Sequence, residues 1–307
     1  MTLRIGTRGS ALARAQTSDV ARLLAAQGHS VETVVITTSG DRVTDRAFSD
    51  VGAFGIFVRE LESALLDRRI DVAVHSYKDL PSRGSDGLAV VAVPERVDPA
   101  DVLVVRRDSL YERGGAIPLR EGARVGTSAM RLQSLLKHVR PDLEIGMLRG
   151  NVPTRIRALD EGKFDAIVLA AAGLARLERS GGLDLSLATR MMRVRLDPAV
   201  FVPAPTQGAI AVQVRDEAGD VRDAVARIDD PTHSRTVRAE RAALSLAESG
   251  CTVPFGAWCS ADAAGMLTLH TCLGGDDGSL ARAVARGTDP DAVAAEAWKD
   301  LSVGVRA

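Results

Sequence analysis

The sequence predicts two α/β domains in succession, closed by a small α+β domain, and three observations carry that prediction. Strand-like and helix-like segments alternate as far as about residue 180, which is the pattern of α/β folds. Two phrases then recur in the same order. Ile5-Gly6-Thr7-Arg8 and Arg69-Ile70-Asp71-Val72-Ala73-Val74 are matched by Val125-Gly126-Thr127-Ser128 and Lys163-Phe164-Asp165-Ala166-Ile167-Val168. After about residue 220 the texture changes to helices followed by a run of short strands.

Each element has its own signal. Leu3 to Gly6 reads as a strand, followed by a glycine-containing turn. Ser10 to Ala26 reads as a helix with Ser10 at its N-cap, where a hydroxyl accepts from a free backbone N–H. Val31 to Thr37 is β-branched and reads as a strand, and Phe57 to Leu66 has apolar residues at helical spacing. Asp71 to His75 and Leu88 to Val93 read as strands bounded by Pro, Gly and polar residues. Pro94 to Asp101 reads as the connection, and Ala129 to Leu136 as the first helix of the second unit. Beyond it, Asp220 to Ile228 and Ser234 to Glu248 read as helices. Phe255 to Ala261, Met266 to Cys272 and Leu280 to Arg286 read as short strands, and Asp289 to Leu301 as a closing helix. Cys251 falls in the loop that joins helix to sheet.

Composition narrows the function. A chain of 307 residues has room for two or three domains and a large core. The formal charge of -1 argues against a coat for nucleic acid or an anionic membrane. Aromatics at 3% leave little for stacking on bases. Only Lys78, Lys137, Lys163 and Lys299 are lysines among 39 basic residues; codon bias is the leading reading of that, and the functional one is that some arginine forks hold carboxylates or phosphates in two-point contacts. Three cysteines, Cys251, Cys259 and Cys272, form no C-x-x-C pair, so neither a metal site nor a disulfide framework is expected, and a reducing cytoplasm is. Met1 to Ser10 has no apolar core of a signal peptide, and the longest apolar run, Ala166 to Ala175, is too short to span a membrane.

Paired α/β domains bind ligands near the C-terminal ends of strands and the N-termini of helices, which favour anions. The turns Thr7-Arg8-Gly9-Ser10, Thr127-Ser128 and Arg149-Gly150-Asn151 fit that geometry, and Arg131, Arg155 and Arg176 lie on the helices that follow. A ligand with several carboxylates or phosphates is the inference; for any single arginine, a solvated surface charge is the competing one. His75-Ser76-Tyr77-Lys78-Asp79-Leu80-Pro81 ends a strand and offers either an acid or base, or simply a turn stabilised by Asp79. Cys251 is either an inert buried thiol or a reactive one.

Together these phrases resemble the hydroxymethylbilane synthase (porphobilinogen deaminase) family. The matching stretches are Thr7 to Ala13, Phe57 to Glu62, Val74 to Pro81, Val125 to Ser128, Leu148 to Arg155, Ala171 to Leu174, Gln207 to Ala209 and Gly250 to Pro254, in family order over nearly the whole chain. The resemblance implies two domains like periplasmic binding proteins and a small α+β third domain: residues 1–96 plus about 203–225, residues 97–202, and residues 226–307. It implies a dipyrromethane cofactor held by a thioether to Cys251, and four porphobilinogen units joined head to tail with loss of ammonia. It makes Asp79 the catalytic carboxylate. It assigns Lys78, Ser76, Thr127, Ser128, Arg131, Arg155 and Gly173 to the cofactor arms, and Arg8, Ser10, Arg149, Gly150, Arg176 and Gln207 to the substrate. A cytoplasmic monomer is implied, with a small pyrrole substrate as its partner and neither nucleic acid nor membrane.

The chain departs from the family pattern at Asp50, Phe54, Ala129, Leu132 and Thr206. A lysine is usual at or near Asp50 and Phe54, serine at Ala129, arginine at Leu132 and glycine at Thr206. The expectation is that lost positive charge slows elongation or admits a less acidic pyrrole, and that Leu132→Arg together with Phe54→Lys raises activity on porphobilinogen. A specialised paralogue, or a binding protein that has lost catalysis, is the alternative; retention of Asp79 and Cys251 counts against the second.

Overall fold

The computed structural model describes residues 1–36, 53–111, 113, 115–183, 190–217, 219–247, 254–275 and 278–306. In order these form β1 (Thr2–Thr7), α1 (Ala11–Ala26), β2 (Ser30–Val35), α2 (Ala53–Leu66), β3 (Val72–Ser76), β4 (Leu88–Ala92), β5 (Asp101–Arg106), β6 (Arg124–Gly126), α3 (Met130–Val139), β7 (Glu144–Gly146) and α4 (Val152–Asp160). They continue with β8 (Ala166–Ala170), α5 (Ala171–Arg179), β9 (Met191–Arg195), β10 (Ile210–Arg215), α6 (Asp220–Ala226), α7 (Pro231–Ala247), β11 (Phe255–Ala261), β12 (Leu267–Gly274), β13 (Leu280–Gly287) and α8 (Pro290–Arg306). Two compact units result, Met1–Val97 with Ala209–Arg235, and Asp98–Gly208 with Thr236–Ala307. No helix among the described residues is long and apolar enough to cross a membrane.

The first unit is a five-stranded sheet in the order β2-β1-β3-β10-β4. β1 runs parallel to β2 and β3, and β10 runs antiparallel to β3 and β4. Side chains alternate across a strand, so both faces find cover. Leu3, Ile5, Val72 and Val74 pack with Val20 and Leu24 of α1. On the other face, Ala73 and Ile36 pack with Leu61, Ala64 and Leu65 of α2.

The second unit repeats the plan as β7-β6-β8-β5-β9, with β6 parallel to β7 and β8 and with β5 antiparallel to β8 and β9. The recurring phrase has a packing cause. A Cβ on Gly6 would lie 2.3 Å from Ile70 Cδ1, and one on Gly126 would lie 2.9 Å from Leu148 Cδ2. In each unit glycine lets the strand approach its neighbours just before the polar turn. The unit also contains the antiparallel sheet β11-β12-β13, whose Ala257, Leu267, Leu269, Ala283 and Ala285 pack against α7 and α8.

The structure corrects the reading of the linker: Asp101 is not its end but the first residue of β5. That strand is a continuous apolar run because both faces are buried, Leu103 and Val105 towards α3 and Val102 and Val104 towards α4 and α5.

Thr206 is the position where the resemblance leads one to expect glycine, and its backbone has the conformation that glycine adopts most freely. It has φ +62°, a left-handed conformation that costs a β-branched residue about 1–2 kcal/mol. Its side chain is 1% exposed, and Oγ1 has no hydrogen-bond partner among the described residues. What holds the residue there is buried Glu240, whose carboxylate accepts from the Thr206 and Cys259 backbone N–H groups. Thr206→Gly is therefore expected to raise stability by about 1 kcal/mol, the relief of strain outweighing the freer unfolded chain. Thermal unfolding checks it, and a lower Tm would show that the methyl contacts matter more than the strain.

Candidate active site

In the first unit, parallel β1 and β3 are neighbours, so the turns that follow them emerge at one edge of the sheet. After β1, the Ser10 hydroxyl accepts from Ala13 N at 3.2 Å and caps α1, as the sequence predicts. Arg8 is half-buried in the same turn. After β3, Tyr77–Asp79 form a single 3-10 turn that ends before Pro81 and exposes Lys78.

Two titratable groups in that motif behave oppositely. His75 is buried, its Nε2 2.9 Å from Gln213 Oε1, while Gln213 Nε2 donates to Glu62 Oε1 at 3.0 Å. Burial pushes the imidazole down to about 4, and the Arg8 charge pushes the same way, so it is neutral near pH 7. His75 thus ties β3 to β10 and α2 and is no proton carrier. Asp79 is partly buried, and its pKa is raised above the ordinary carboxylate range by that burial, against the pull of Lys78 and Arg8. The carboxylate is thus poorly solvated and sits in the field of two cations.

The second unit places its candidate residues at the same edge of its own sheet. Thr127 is buried after β6, its Oγ1 accepting from Ala129 N at 3.2 Å, with Ser128 half-buried beside it. Ala129 occupies the N-cap of α3 and supplies no side-chain cap, so that helix start is left to Thr127, Ser128 and solvent. After β7, Arg149 and Gly150 are exposed, and Gly150 turns the chain at φ +110°. Asn151 caps α4 through Thr154 N at 3.0 Å, and Arg155 Nε donates to Gly150 O at 2.7 Å. Burial lowers the Arg155 pKa. Gly173 is buried in the first turn of α5.

Three candidates lie deeper than an exposed ligand set suggests. Arg131 Nη1 donates to Asp101 Oδ2 at 2.9 Å and to Val202 O at 2.8 Å, and the Arg131 side chain is 8% exposed. Gln207 Nε2 reaches Asp101 Oδ1 at 3.0 Å and Pro99 O at 2.9 Å. Arg176 is buried and donates to Gly208 O at 3.0 Å. Arg131 and Gln207 therefore share one carboxylate, joining the segment before β5 to the segment before β10. Sequence reasoning passed over Asp101, although a charge opening the run Asp101-Val102-Leu103-Val104-Val105 was a signal. Asp101→Asn should cost about 3 kcal/mol, because it leaves a buried guanidinium unpaired. Urea unfolding tests this, and an unchanged midpoint would show that Val202 O suffices.

Leu132 is 5% exposed in the core with Leu135, Leu136 and Val202. It is not a vacant carboxylate contact, and the Leu132→Arg half of the expected gain does not fit its burial. Leu132→Arg should instead destabilise by several kcal/mol, by forcing a charge into apolar surroundings. A wild-type Tm for that variant would show that the longer side chain finds a way out.

Cys251, Asp50 and the side chain of Phe54 lie outside the described residues. Cys259 and Cys272 are buried, and burial pushes the Cys272 thiol up to about 11, so it is inert near neutrality.

Two family models match the chain. Residues 3–223 match the porphobilinogen deaminase, dipyromethane cofactor binding domain, and residues 234–302 match the porphobilinogen deaminase C-terminal domain. Porphobilinogen deaminase of Syntrophobacter fumaroxidans is 44% identical over 278 residues, covering 90% of this chain and 85% of its own. That of Albidiferax ferrireducens is 44% identical over 280 residues, covering 91% and 84%. That of Gloeobacter violaceus is 40% identical over 306 residues, covering 98% and 90%.

Proposed function

The chain belongs to the porphobilinogen deaminase family, and on that premise we propose that Asp79 is the carboxylate that carries its chemistry. The enzyme condenses four porphobilinogen units head to tail into a linear tetrapyrrole, with loss of ammonia at each step and a dipyrromethane cofactor. The observation that carries the proposal is a partly buried carboxylate at the end of β3, beside Lys78 and in the field of Arg8.

Each unit carries, at the edge of its own sheet, groups suited to the carboxylate arms of a dipyrromethane. Arg8, Ser10, Ser76 and Lys78 in the first unit are donors toward carboxylates. So are Thr127, Ser128, Arg149, the Gly150 backbone and Arg155 in the second, together with the uncapped start of α3. We assign Ser76, Lys78, Thr127, Ser128, Arg131, Arg155 and Gly173 to the cofactor, with Arg131 acting from within its Asp101 pair. Arg8, Ser10, Arg149, Gly150, Arg176 and Gln207 are assigned to the substrate. Held by a thioether to Cys251, the cofactor supplies the pyrrole end to which new units are joined.

When porphobilinogen loses ammonia its aminomethyl carbon becomes part of a cationic azafulvene. Arg8 holds the acidic arms of the substrate, Lys78 those of the cofactor, and Asp79 stands opposite the new positive charge. A carboxylate about 4 Å from a cation stabilises it by roughly 4 kcal/mol at an effective dielectric of 20. That is on the order of a thousandfold in rate, the scale of electrostatic catalysis by a fixed charge. We read the working form as a monomer, which sedimentation of the purified protein checks. The proposal itself is tested by the pH profile of tetrapyrrole formation. The acid limb of kcat should lie above the ordinary carboxylate range, since Asp79 must be ionised and its pKa is raised. A limb at or below that range would place the charge on another group.

A further inference from the structure

We propose that Gln16 is a positioning residue for the cofactor site, its buried amide aiming the Ser76 hydroxyl at a carboxylate arm of the dipyrromethane. The inference rests on the assignment of Ser76 to the cofactor. Gln16 lies in the second turn of α1, 4% exposed, on the face that also buries Val20 and Leu24. An amide at such a position is costly unless it is hydrogen-bonded. Its partner is 60 residues away: Gln16 Nε2 lies 2.8 Å from Ser76 Oγ, and Gln16 Oε1 lies 3.2 Å from the same oxygen.

Gln16 Nε2 donates to the Ser76 oxygen in the shorter contact, and the Ser76 hydroxyl donates back to Gln16 Oε1 in the longer one. A carboxylate is a stronger acceptor than an amide oxygen, so an arriving arm draws the proton from the longer contact while Nε2 keeps its hold on the oxygen. The hydroxyl is not spent on the following turn, because Ser76 precedes Tyr77–Asp79 without capping it through its side chain. A serine rotor at a strand end has three staggered positions, and Gln16 selects among them. A carboxylate presented beyond β3 meets a hydroxyl whose oxygen is already held by Gln16, and gains a charge-assisted hydrogen bond in exchange for the weaker one to Gln16 Oε1. Helix α1 thus serves the site twice, through Ser10 at its start and through Gln16 two turns later.

The test uses full-length apo-protein from cells that make no porphobilinogen. Wild type, Gln16→Leu, Ser76→Ala and the double variant are each incubated with porphobilinogen. The rate at which the two-pyrrole adduct appears is followed by intact mass, and Tm is recorded for each. Gln16→Leu should slow adduct formation about three- to tenfold, Ser76→Ala should slow it at least as much, and the double variant should be no slower than Ser76→Ala alone. Gln16→Glu keeps the side-chain length but captures the hydroxyl proton. It should behave like Gln16→Leu, be masked in the same way by Ser76→Ala, and carry the test if the leucine variant does not fold. Effects that multiply in the double variant, with Tm falling in parallel, overturn the inference and leave Ser76 standing. A wild-type rate in Ser76→Ala overturns the assignment of Ser76 and this inference with it.

Discussion

Asp79→Asn should lower tetrapyrrole formation by two or more decades while leaving the two-pyrrole adduct in place. The substitution keeps the shape of the side chain and removes only the charge that we propose faces the azafulvene. Loss of about 3–4 kcal/mol of transition-state stabilisation corresponds to that range. The same change should make the protein more stable. An aspartate whose folded pKa is raised loses folding free energy as pH climbs from its unfolded value to its folded one, and the penalty is constant above that window. Asparagine has no charge to desolvate, so the Tm of the variant should exceed wild type at pH 7, and the gap should close below the ordinary carboxylate range. A variant that is slower and also less stable at pH 7 would mean that Asp79 is held by contacts stronger than its burial is costly. Turnover near wild type would transfer the catalytic role elsewhere.

Cys251→Ser should abolish the adduct and nearly all product while the chain remains folded. A thioether needs the sulfur nucleophile, and a serine hydroxyl at its ordinary pKa does not replace it. The other two cysteines offer no substitute, since both are buried and the Cys272 thiol is held at about 11. Intact mass of wild type and variant gives the answer directly. Product formation by an unmodified wild type, or an adduct that survives in Cys251→Ser, would place the attachment at another residue.

The two predictions separate the parts of the active centre. Asp79→Asn keeps the primer and loses the chemistry, whereas Cys251→Ser loses the primer. A chain that only bound pyrroles would respond to neither change in turnover.

By itself the sequence determined the local elements and the chemistry of the turns. Ser10 caps α1 because a hydroxyl before a helix has few better options. The Gly-Thr phrases mark the ends of β1 and β6 because close packing there excludes a Cβ. Alternation of strands and helices was enough for two α/β units, and the late run of short strands for the third sheet. Only the tertiary structure decided which polar groups are spent on the fold. Arg131 and Gln207 carry the residue types of a ligand set, yet both are also engaged by Asp101, so whatever they do for a ligand they do from within that pairing. Leu132 reads as a missing charge in a motif and is a core residue in space. Gln16 and Gln213 look like surface amides and are buried hydrogen-bond partners of Ser76 and His75. The antiparallel places of β5 and β10 were equally hidden, since a strand's neighbours come from distant parts of the chain. The physical reason is common to all of these. Periodicity and capping act over a few residues, whereas burial, and with it the worth of a charge or an amide, depends on partners tens to a hundred residues away.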